Sequence, residues 1–410
     1  MNNASFSSGV ELEYMIVDRD SLAVRPFSDI ILTQPDGSVC AEYENGPIAW
    51  SNELCMHVIE LKTNGPVTAL LPQIPLFEEN IRAINARLAH HHAMLLPTAA
   101  HPFMDPLRET RLWRHEYNEV YETYHRIFNC NGHGWSNVQS THLNLGFTDD
   151  DHFGRLHAAI RLLLPIIPAL AASSPVITGT LTGYADTRLF YYRQNQAQIP
   201  AVTGTVIPER AFTPAAYRHD ILKKIYAAMR QYDPDGIVCH EWLNSRGAIA
   251  RFERNTFEIR LIDAQECPRA EITVLTVFIA VLKALMAEQW QPYAVQKTYD
   301  ETLLADILNT TITAGENAVI DASAYAACFG YTKTPCSAHQ LWQHLFDAVV
   351  FADPALRSSG LPFQVYYRHG NLASRIVRAL GNDRSSASLI RVYQQLAACL
   401  HEGRLFLCDR

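Results

Sequence analysis

The segment Gly9-Val10-Glu11-Leu12-Glu13-Tyr14 alternates apolar and acidic side chains near the start of a chain of 410 residues. In a β-strand, residues i and i+2 share one face and lie roughly 7 Å apart, so Glu11 and Glu13 take one face and the apolar side chains take the other. Two glutamates on one face of a strand repel each other unless a cation lies between them. The segment therefore predicts a strand with one core face and one acidic face.

Three later segments repeat the alternation with other polar residues. Their polar positions are Glu60, Lys62 and Asn64 in residues 58–64, His142 and Asn144 in 141–147, and Glu258 and Arg260 in 256–261. An antiparallel sheet with one wetted face gives such a pattern by default, and this explanation stands for any one strand taken alone. Glu, His, Asn and Arg differ, however, from the Thr, Ser and Lys that are typical of a wetted face. Together the four strands favour a sheet with a functional polar face.

The acidic residues of this face form a set of hard oxygen ligands. Four carboxylates (Glu11, Glu13, Glu60 and Glu258), one imidazole and no thiolate suit Mg²⁺ or Mn²⁺ and not structural zinc. Lys62 and Arg260 would add positive charge for a phosphate or a carboxylate. The combination predicts a metal-phosphate site on the sheet.

The hydrophobic periodicity predicts an α+β fold: an antiparallel sheet with a polar catalytic face, helices packed on its other face, and a helical C-terminal part. Alternating runs predict strands at 10–17, 56–63, 138–147, 249–252 and 256–263. Spacings of three and four predict helices at 74–94, 111–128, 151–172, 214–232, 268–289, 338–350, 371–380 and 386–401. We therefore expect a catalytic domain over 1–295 and a helical extension over 296–410 that packs on the same unit.

Composition excludes several classes of protein. The net charge is −8, and no basic run exceeds two residues, which argues against a nucleic-acid-binding protein. No stretch reaches about 18 uninterrupted apolar residues, and the first 14 residues lack the charge and apolar core of a signal peptide, so we expect neither a membrane span nor secretion. Nine scattered cysteines without a CxxC pair indicate no disulfide framework and favour the cytoplasm.

The common nucleotide and hydrolase motifs are missing. The chain has no GxxxxGK[ST], no GxGxxG, no GxSxG and no HExxH sequence. These absences argue against a P-loop, a Rossmann nucleotide site, a serine hydrolase of that type and a zincin. A bound nucleotide would have to be held through metal ions and arginines.

Five short motifs, in order along residues 9–265, resemble one known family. They are G-V-E-L-E-Y at 9–14 followed by Val17-Asp18, the strand around Glu60, H-L-N-L-G at 142–146, A-S-S-P at 172–175 with T-G-Y-A-D-T-R at 182–188, and T-F-E-I-R at 256–260 with D-A-Q at 263–265. This set is similar to that of the second type of glutamate-cysteine ligases, the carboxylate-amine ligases, whose catalytic fold is similar to that of glutamine synthetase.

The resemblance implies an ATP-dependent ligase that uses Mg²⁺ or Mn²⁺ to join glutamate, through its γ-carboxylate, to cysteine or another amine by way of an acyl phosphate, as in glutathione biosynthesis. It implies metal binding by Glu11, Glu13, Glu60 and Glu258, and catalytic contacts from Arg260, Arg188 and His142. Lys62, Arg251, Arg254 and Asn144 would contact the nucleotide. Asn144 replaces the second histidine of the family's H-V-H strand, and Leu12 replaces a glutamate often seen in the opening motif.

Two other functions are compatible with the same residues. A metal-dependent hydrolase of a phosphate ester or an amide would use the carboxylates to activate water, and it would need no ATP. A non-catalytic sensor of a nucleotide or an amino acid could keep the sheet without turnover. The sequence identifies neither the amine nor the oligomeric state, so a homo-oligomer remains open.

Overall fold

The structure is a computed structural model that describes residues 6–407. Its strands are β1 (Ser8–Asp18), β2 (Glu42–Asn45), β3 (Ile48–Asn52), β4 (Val58–Thr63), β5 (Ala93–Leu96), β6 (Ser140–Gly146), β7 (Val176–Ile177), β8 (Thr180–Leu181), β9 (Ala248–Arg251), β10 (Thr256–Asp263), β11 (Val319–Ile320) and β12 (Cys336–Ser337). β7 pairs with β8 and β11 with β12 in two small sheets, and the other strands form one large sheet.

The large sheet is antiparallel, with strand order β2-β3-β4-β1-β6-β10-β9 and with β5 also paired to β1. Glu11 lies opposite Lys62 on one side and opposite His142 on the other, and Glu13 lies opposite Glu60. Directly paired residues of neighbouring strands share a face. The register therefore gathers the predicted polar side chains on one face, which confirms the predicted sheet.

The described residues contain nineteen α-helices. They are α1 (Ser28–Ile31), α2 (Gln73–Ala89), α3 (Pro106–Glu109), α4 (Asn118–Phe128), α5 (His133–Ser136), α6 (Asp150–Leu163), α7 (Ile167–Ala171), α8 (Thr187–Tyr192), α9 (Pro214–Tyr217), α10 (Lys223–Met229), α11 (Pro268–Met286), α12 (Tyr293–Gln296), α13 (Glu301–Ala314), α14 (Ser323–Ala327), α15 (Ala338–Leu345), α16 (Pro354–Arg357), α17 (Phe363–His369), α18 (Leu372–Leu380) and α19 (Ser386–Glu402). Short 3₁₀ or π turns lie at Leu164–Ile166, Arg218–Leu222, Glu241–Leu243, Gly315–Asn317 and Phe346–Val350.

The main core lies between the apolar face of the sheet and three long helices. Leu12, Leu61 and Leu143 from the sheet share one buried cluster with side chains of α2, α6 and α11. The period of two in the strands and the period of 3.6 in the helices both direct apolar side chains into this layer. The buried helical members include Phe77, Ile81, Leu156, Ile272 and Leu275.

The structure differs from the sequence prediction at several boundaries. The helix predicted for 74–94 ends at Ala89, His92 adopts a positive φ of 53°, and Ala93–Leu96 forms β5. The helix predicted for 111–128 begins only at Asn118. The hairpin of β2 and β3 was not predicted, although its Asn45-Gly46 turn is a sequence signal for a hairpin. Pairing with β1 decides the structure of β5, and pairing with β4 decides that of the hairpin.

One helical stretch, Asp150–Ala171, is long and apolar enough by length and composition to cross a membrane. Inside the protein, 94% of its most apolar window is buried, as expected for a core helix. Eight cysteines lie in the described residues and all are free, whereas Cys408 lies outside the described residues.

The residues after Asp263 are mainly helical and pack on the sheet layer through specific contacts. The backbone N–H of Ala373 donates to the carbonyl of Ala172 over 2.8 Å. Arg375 of α18 forms an ion pair with Glu266, and the two side chains are 1% and 0% exposed. Arg375 also donates to the carbonyl of Phe406 over 2.8 Å. The division into domains at 295 and 296 remains a prediction.

We expect the Arg375→Met substitution to destabilise the protein by about 3–5 kcal/mol, because it leaves the carboxylate of Glu266 buried without its cation. Chemical denaturation measures this loss. Arg378→Met on the same helix is the matched control: the Arg378 side chain is 40% exposed, and its ion pair with Glu316 spans 3.9 Å. An exposed pair contributes at most about 1 kcal/mol. Equal losses of stability in the two variants would contradict the view that the Glu266–Arg375 ion pair holds α18 in place.

Candidate active site on the polar face of the sheet

His142 of β6 is the centre of a polar cluster at the middle of the sheet. The carboxylate of Glu11 lies 3.0 Å from Nδ1 of His142 and accepts a hydrogen bond from Nδ2 of Asn144 over 2.9 Å. Burial lowers the pKa of His142, but the hydrogen bond with Glu11 and the charge of Glu13 outweigh it and raise the pKa to about 9. Burial raises the pKa of Glu11, yet His142 brings it below the ordinary value. His142 is therefore a cation in this arrangement.

A second group of carboxylates lies beside this cluster. Glu13 accepts hydrogen bonds from the backbone N–H and the hydroxyl of Ser140, over 2.7 and 3.1 Å. Glu60 accepts from the hydroxyl of Ser51 over 2.6 Å. Burial and the charge of Glu11 raise the pKa of Glu60 to about 7, and burial together with Glu13 and Glu60 raises the pKa of Glu53 well above its usual range. Negative charge is thus in excess here.

These carboxylates form two groups with the spacing of metal ligands. One group comprises Glu11, Glu60 and His142 and the other Glu13, Glu53 and Glu60, and within each group the potential ligand atoms lie within 4.8 Å of one another. Glu60 belongs to both groups. Carboxylate oxygens are the preferred ligands of Mg²⁺ and Mn²⁺, and a divalent cation would offset the excess negative charge. The donor set therefore fits such ions, and ligation by His142 would require the loss of its proton.

Glu258 of β10 is paired with two arginines. Nη1 of Arg251 donates to one carboxylate oxygen over 2.6 Å, and Nε of Arg260 donates to the other over 2.5 Å. Burial raises the pKa of Glu258, but Arg260, His142 and Arg251 outweigh it and bring the pKa down to about 2. Glu258 belongs to neither ligand group of the described residues, although its Oε1 lies 4.0 Å from Nδ1 of His142.

Two cavities, one large and one small, flank the carboxylate cluster at this face, and a third of about 510 Å³ opens beside Glu60 and Lys62. The larger one, about 680 Å³, is lined by Glu11, Lys62, Asn144 and Arg254 among others. The smaller one, about 190 Å³, is lined by Glu13, Glu53, His142, Arg188 and Arg260 together with aromatic side chains. The aromatic members are Tyr121, Tyr124, Trp135, Tyr192 and Trp242. The carboxylate cluster therefore separates a large compartment from a small one.

The structure brings almost all of the predicted site residues together. Arg188 reaches the small cavity from α8, whereas Lys62 lies on the other side of the cluster and forms ion pairs with Glu42 over 2.7 Å and Glu60 over 3.5 Å. Arg254 lies at the turn between β9 and β10 and lines only the large cavity. The remaining predicted residues lie on neighbouring strands: Glu11, Glu13, Glu60, His142, Asn144, Arg251, Glu258 and Arg260.

Sequence reasoning missed Glu53, which belongs to the second ligand group. Glu53 follows β3, and β3 pairs with β4, which carries Glu60. Recognition of the hairpin from its Asn45-Gly46 turn would have placed β3 beside a glutamate strand. The period of two alone could not identify Glu53, because this residue lies beyond the end of the strand.

Comparisons with known proteins agree with this architecture. The profile of glutamate-cysteine ligase family 2 matches residues 7–316. An uncharacterized protein of Archaeoglobus fulgidus is 36% identical over 280 residues, which cover 68% of this chain and 75% of that protein. A structure of glutamate-cysteine ligase from Francisella tularensis in complex with AMP has a TM-score of 0.62 and 11% identity, with 97% of this chain and 89% of that chain covered.

A bifunctional glutathione synthetase from Pasteurella multocida also has a similar fold, with a TM-score of 0.58 and 14% identity. The match covers 96% of this chain but only 51% of that enzyme, so this chain spans about half of its length. At these identities both structural similarities support the fold alone.

We expect Mn²⁺ to bind at the carboxylate cluster, and we expect Glu53→Gln to weaken this binding at least tenfold because it removes one charged ligand. Titration calorimetry or electron paramagnetic resonance measures the affinity. Glu44→Gln is the control, since Glu44 is an exposed carboxylate on β2 of the same sheet and lies outside both ligand groups. Unchanged affinity in Glu53→Gln would remove Glu53 from the site.

Proposed function

This chain belongs to glutamate-cysteine ligase family 2, and from this membership we propose that it joins the γ-carboxyl group of glutamate to cysteine or a similar small amine. The membership makes it an ATP-dependent carboxylate-amine ligase that forms an amide bond. The observation that carries the proposal is the carboxylate cluster between two cavities of unequal size. Such an arrangement suits a reaction between a nucleotide and a small carboxylate.

We assign ATP to the large cavity. Its volume of about 680 Å³ lies in the range of roughly 300–1,000 Å³ that is usual for ligand pockets. The stacked rings of Phe6 and His152, 5.9 Å apart, form part of its wall and provide an aromatic surface for a base. Lys62 and Arg254 supply positive charge for the phosphates. Mg²⁺ held by Glu11, Glu13, Glu53 and Glu60 would supply charge neutralisation between the carboxylates and the triphosphate.

We assign the carboxylate substrate to the small cavity. Its volume of about 190 Å³ suits a molecule of amino-acid size, and its lining contains the guanidinium groups of Arg188 and Arg260. Arg260 is paired with Glu258, whereas the buried Nη2 of Arg188 has no hydrogen-bond partner within residues 6–407. Guanidinium groups bind carboxylates through parallel hydrogen bonds. Arg188 is thus suited to hold a carboxylate group of the substrate.

The proposed reaction has two steps. A carboxylate oxygen of the substrate attacks the γ-phosphorus of ATP, the bond from this phosphorus to the bridging oxygen of the β-phosphate breaks, and ADP is formed in the site. The amine nitrogen then attacks the acyl phosphate, an amide forms, and phosphate and a proton are released. Both first reactants are anions, so Arg260, Lys62 and the protonated His142 lower the electrostatic cost of their approach. The aromatic wall of the small cavity limits the access of water to the acyl phosphate.

We further propose that the reaction takes place in the cytoplasm. The eight described cysteines are free, and five of them are fully or almost fully buried: Cys55, Cys130, Cys267, Cys328 and Cys399. Unpaired thiols are typical of a reducing compartment. With cysteine as the acceptor, the product would be γ-glutamylcysteine, the first intermediate of glutathione biosynthesis.

We expect the purified protein with ATP, Mg²⁺ and glutamate to release ADP only when an amine is added, because capture of the acyl phosphate completes the reaction. A coupled assay for ADP over a panel of amino acids, with cysteine included, measures this dependence. EDTA should abolish both ADP release and nucleotide binding. Turnover of a phosphate ester or an amide without ATP would instead indicate the hydrolase, and nucleotide binding without turnover on any acceptor would indicate the sensor.

We expect Glu258→Gln to lower kcat at least a hundredfold, because the neutral amide no longer fixes Arg251 and Arg260 by charge. Steady-state kinetics at saturating substrates measure the effect, and a thermal melt shows whether the fold is retained. Glu44→Gln serves again as the control and should keep wild-type kcat. Normal turnover in Glu258→Gln would remove this residue from the catalytic machinery.

A further inference from the structure

Arg188 forms an ion pair with Asp263, which is the last residue of β10. Arg188 is 2% exposed and Asp263 is 0% exposed. Nε of Arg188 donates to Oδ1 of Asp263 over 2.6 Å. The contact lies behind the cavity wall, because Arg188 lines the small cavity whereas Asp263 does not.

The hydrogen bonds of the Arg188 guanidinium leave one edge free. The group has five N–H bonds. Nε–H is taken by Asp263, and one N–H of Nη1 donates to the carbonyl of Arg260 over 3.3 Å. Nη2 is buried and has no hydrogen-bond partner among the described residues. A buried donor without a hydrogen bond raises the free energy of the folded protein. The edge formed by Nη1 and Nη2 is therefore suited to an anionic ligand in the cavity.

Asp263 is itself fixed by the loop that follows α7. Its Oδ2 accepts hydrogen bonds from the backbone N–H of Ser173 over 2.8 Å and from the hydroxyl of Ser174 over 3.1 Å. The same hydroxyl accepts from the backbone N–H of Arg188 over 3.1 Å. The carboxylate therefore has little freedom to rotate, and it fixes the guanidinium in one orientation.

The charges around Arg188 agree with this arrangement. Asp186 also lies close to Asp263, and its Oδ1 accepts the backbone N–H of Leu189 at the start of α8 over 2.8 Å. Burial and the neighbouring Asp263 raise the pKa of Asp186 well above its usual range. Burial also raises the pKa of Asp263, but the charge and the hydrogen bond of Arg188 oppose this rise. Asp263 is the carboxyl group that bonds the guanidinium directly.

We propose that Asp263 is a positioning residue for substrate recognition: it directs the free Nη1–Nη2 edge of Arg188 at the small cavity and thereby sets the affinity for the carboxylate substrate. This inference rests on the proposed function, because it takes the occupant of the small cavity to be a carboxylate. If the ion pair had only a structural role, its loss would destabilise the fold and would leave the affinities for glutamate and for ATP unchanged.

The test is the Asp263→Asn substitution in the full-length protein. We expect the KM for glutamate to rise at least tenfold, the KM for ATP to stay within twofold, and kcat at saturating glutamate to stay within about threefold. Glu271→Gln is the matched control, since Glu271 is also 0% exposed and follows the same strand but bonds to Thr141 and to the backbone of Gln265. Burial raises the pKa of Glu271 to about 8, so the amide replaces a neutral group, and both KM values should remain unchanged.

A double-mutant cycle shows whether Asp263 acts through Arg188. Arg188→Met should raise the KM for glutamate at least as much as Asp263→Asn does, and the double variant should resemble Arg188→Met alone. Additive losses, or equal rises in the KM for glutamate and ATP, would overturn the proposal. So would an unchanged KM for glutamate in Asp263→Asn with a normal melting temperature.

Calorimetry of wild-type protein with glutamate, Mg²⁺ and a non-hydrolysable ATP analogue separates this inference from the proposed function. If wild type neither binds nor turns over glutamate, the proposed substrate is wrong and the inference falls with it. If wild type binds glutamate and Asp263→Asn binds it equally well, only the role of Asp263 is refuted. Should Asp263→Asn fail to fold, Asp263→Ser, which is smaller and uncharged, replaces it with the same expected rise in KM.

Discussion

The register of β1 against its two neighbours is the constraint on which the site depends. It places Glu13 directly opposite Glu60 and places Glu11 between Lys62 and His142. A slip of one residue would move every one of these side chains to the apolar face. The apolar residues between them, Leu12 and Tyr14, are fully buried, so the core fixes the register. Hydrophobic burial on one face thus stabilises an arrangement of like charges on the other.

The polar face has two halves that differ in how the charge of their carboxylates is balanced. At β10, Glu258 is paired with Arg251 and Arg260, so its negative charge is more than balanced within the protein. At β1 and β4, the charged partners are Lys62 and His142. Burial and neighbouring carboxylates raise the pKa values of Glu53 and Glu60. Divalent cations fit the second half for this reason. Divalent cations bound there would offset the charge of an anionic ligand.

The sequence predicted this face well because the period of two is a local signal. Glu11, Glu60, His142 and Glu258 could each be assigned to a face from their immediate neighbours. Glu53 could not be, since its position depends on a hairpin and on a turn beyond the strand. The contact between Asp263 and Arg188 was equally invisible, because the two residues are 75 positions apart in the chain and only the packed fold brings them together. Local patterns thus predicted the faces of the strands, whereas long-range packing decided which side chains meet.

The helices after Asp263 support the site through their backbone. This explains why their sequence carries no recognisable functional motif. The carbonyls of Thr313 and Ile312, at the end of α13, accept the backbone N–H groups of Ala185 and Asp186 over 3.0 and 3.1 Å. These bonds hold the loop that leads into Arg188. Because they join backbone to backbone, they depend on the path of the chain and not on the identity of its side chains. The C-terminal part can therefore diverge in sequence, provided that its core packing and the Glu266 anchor keep this path in place.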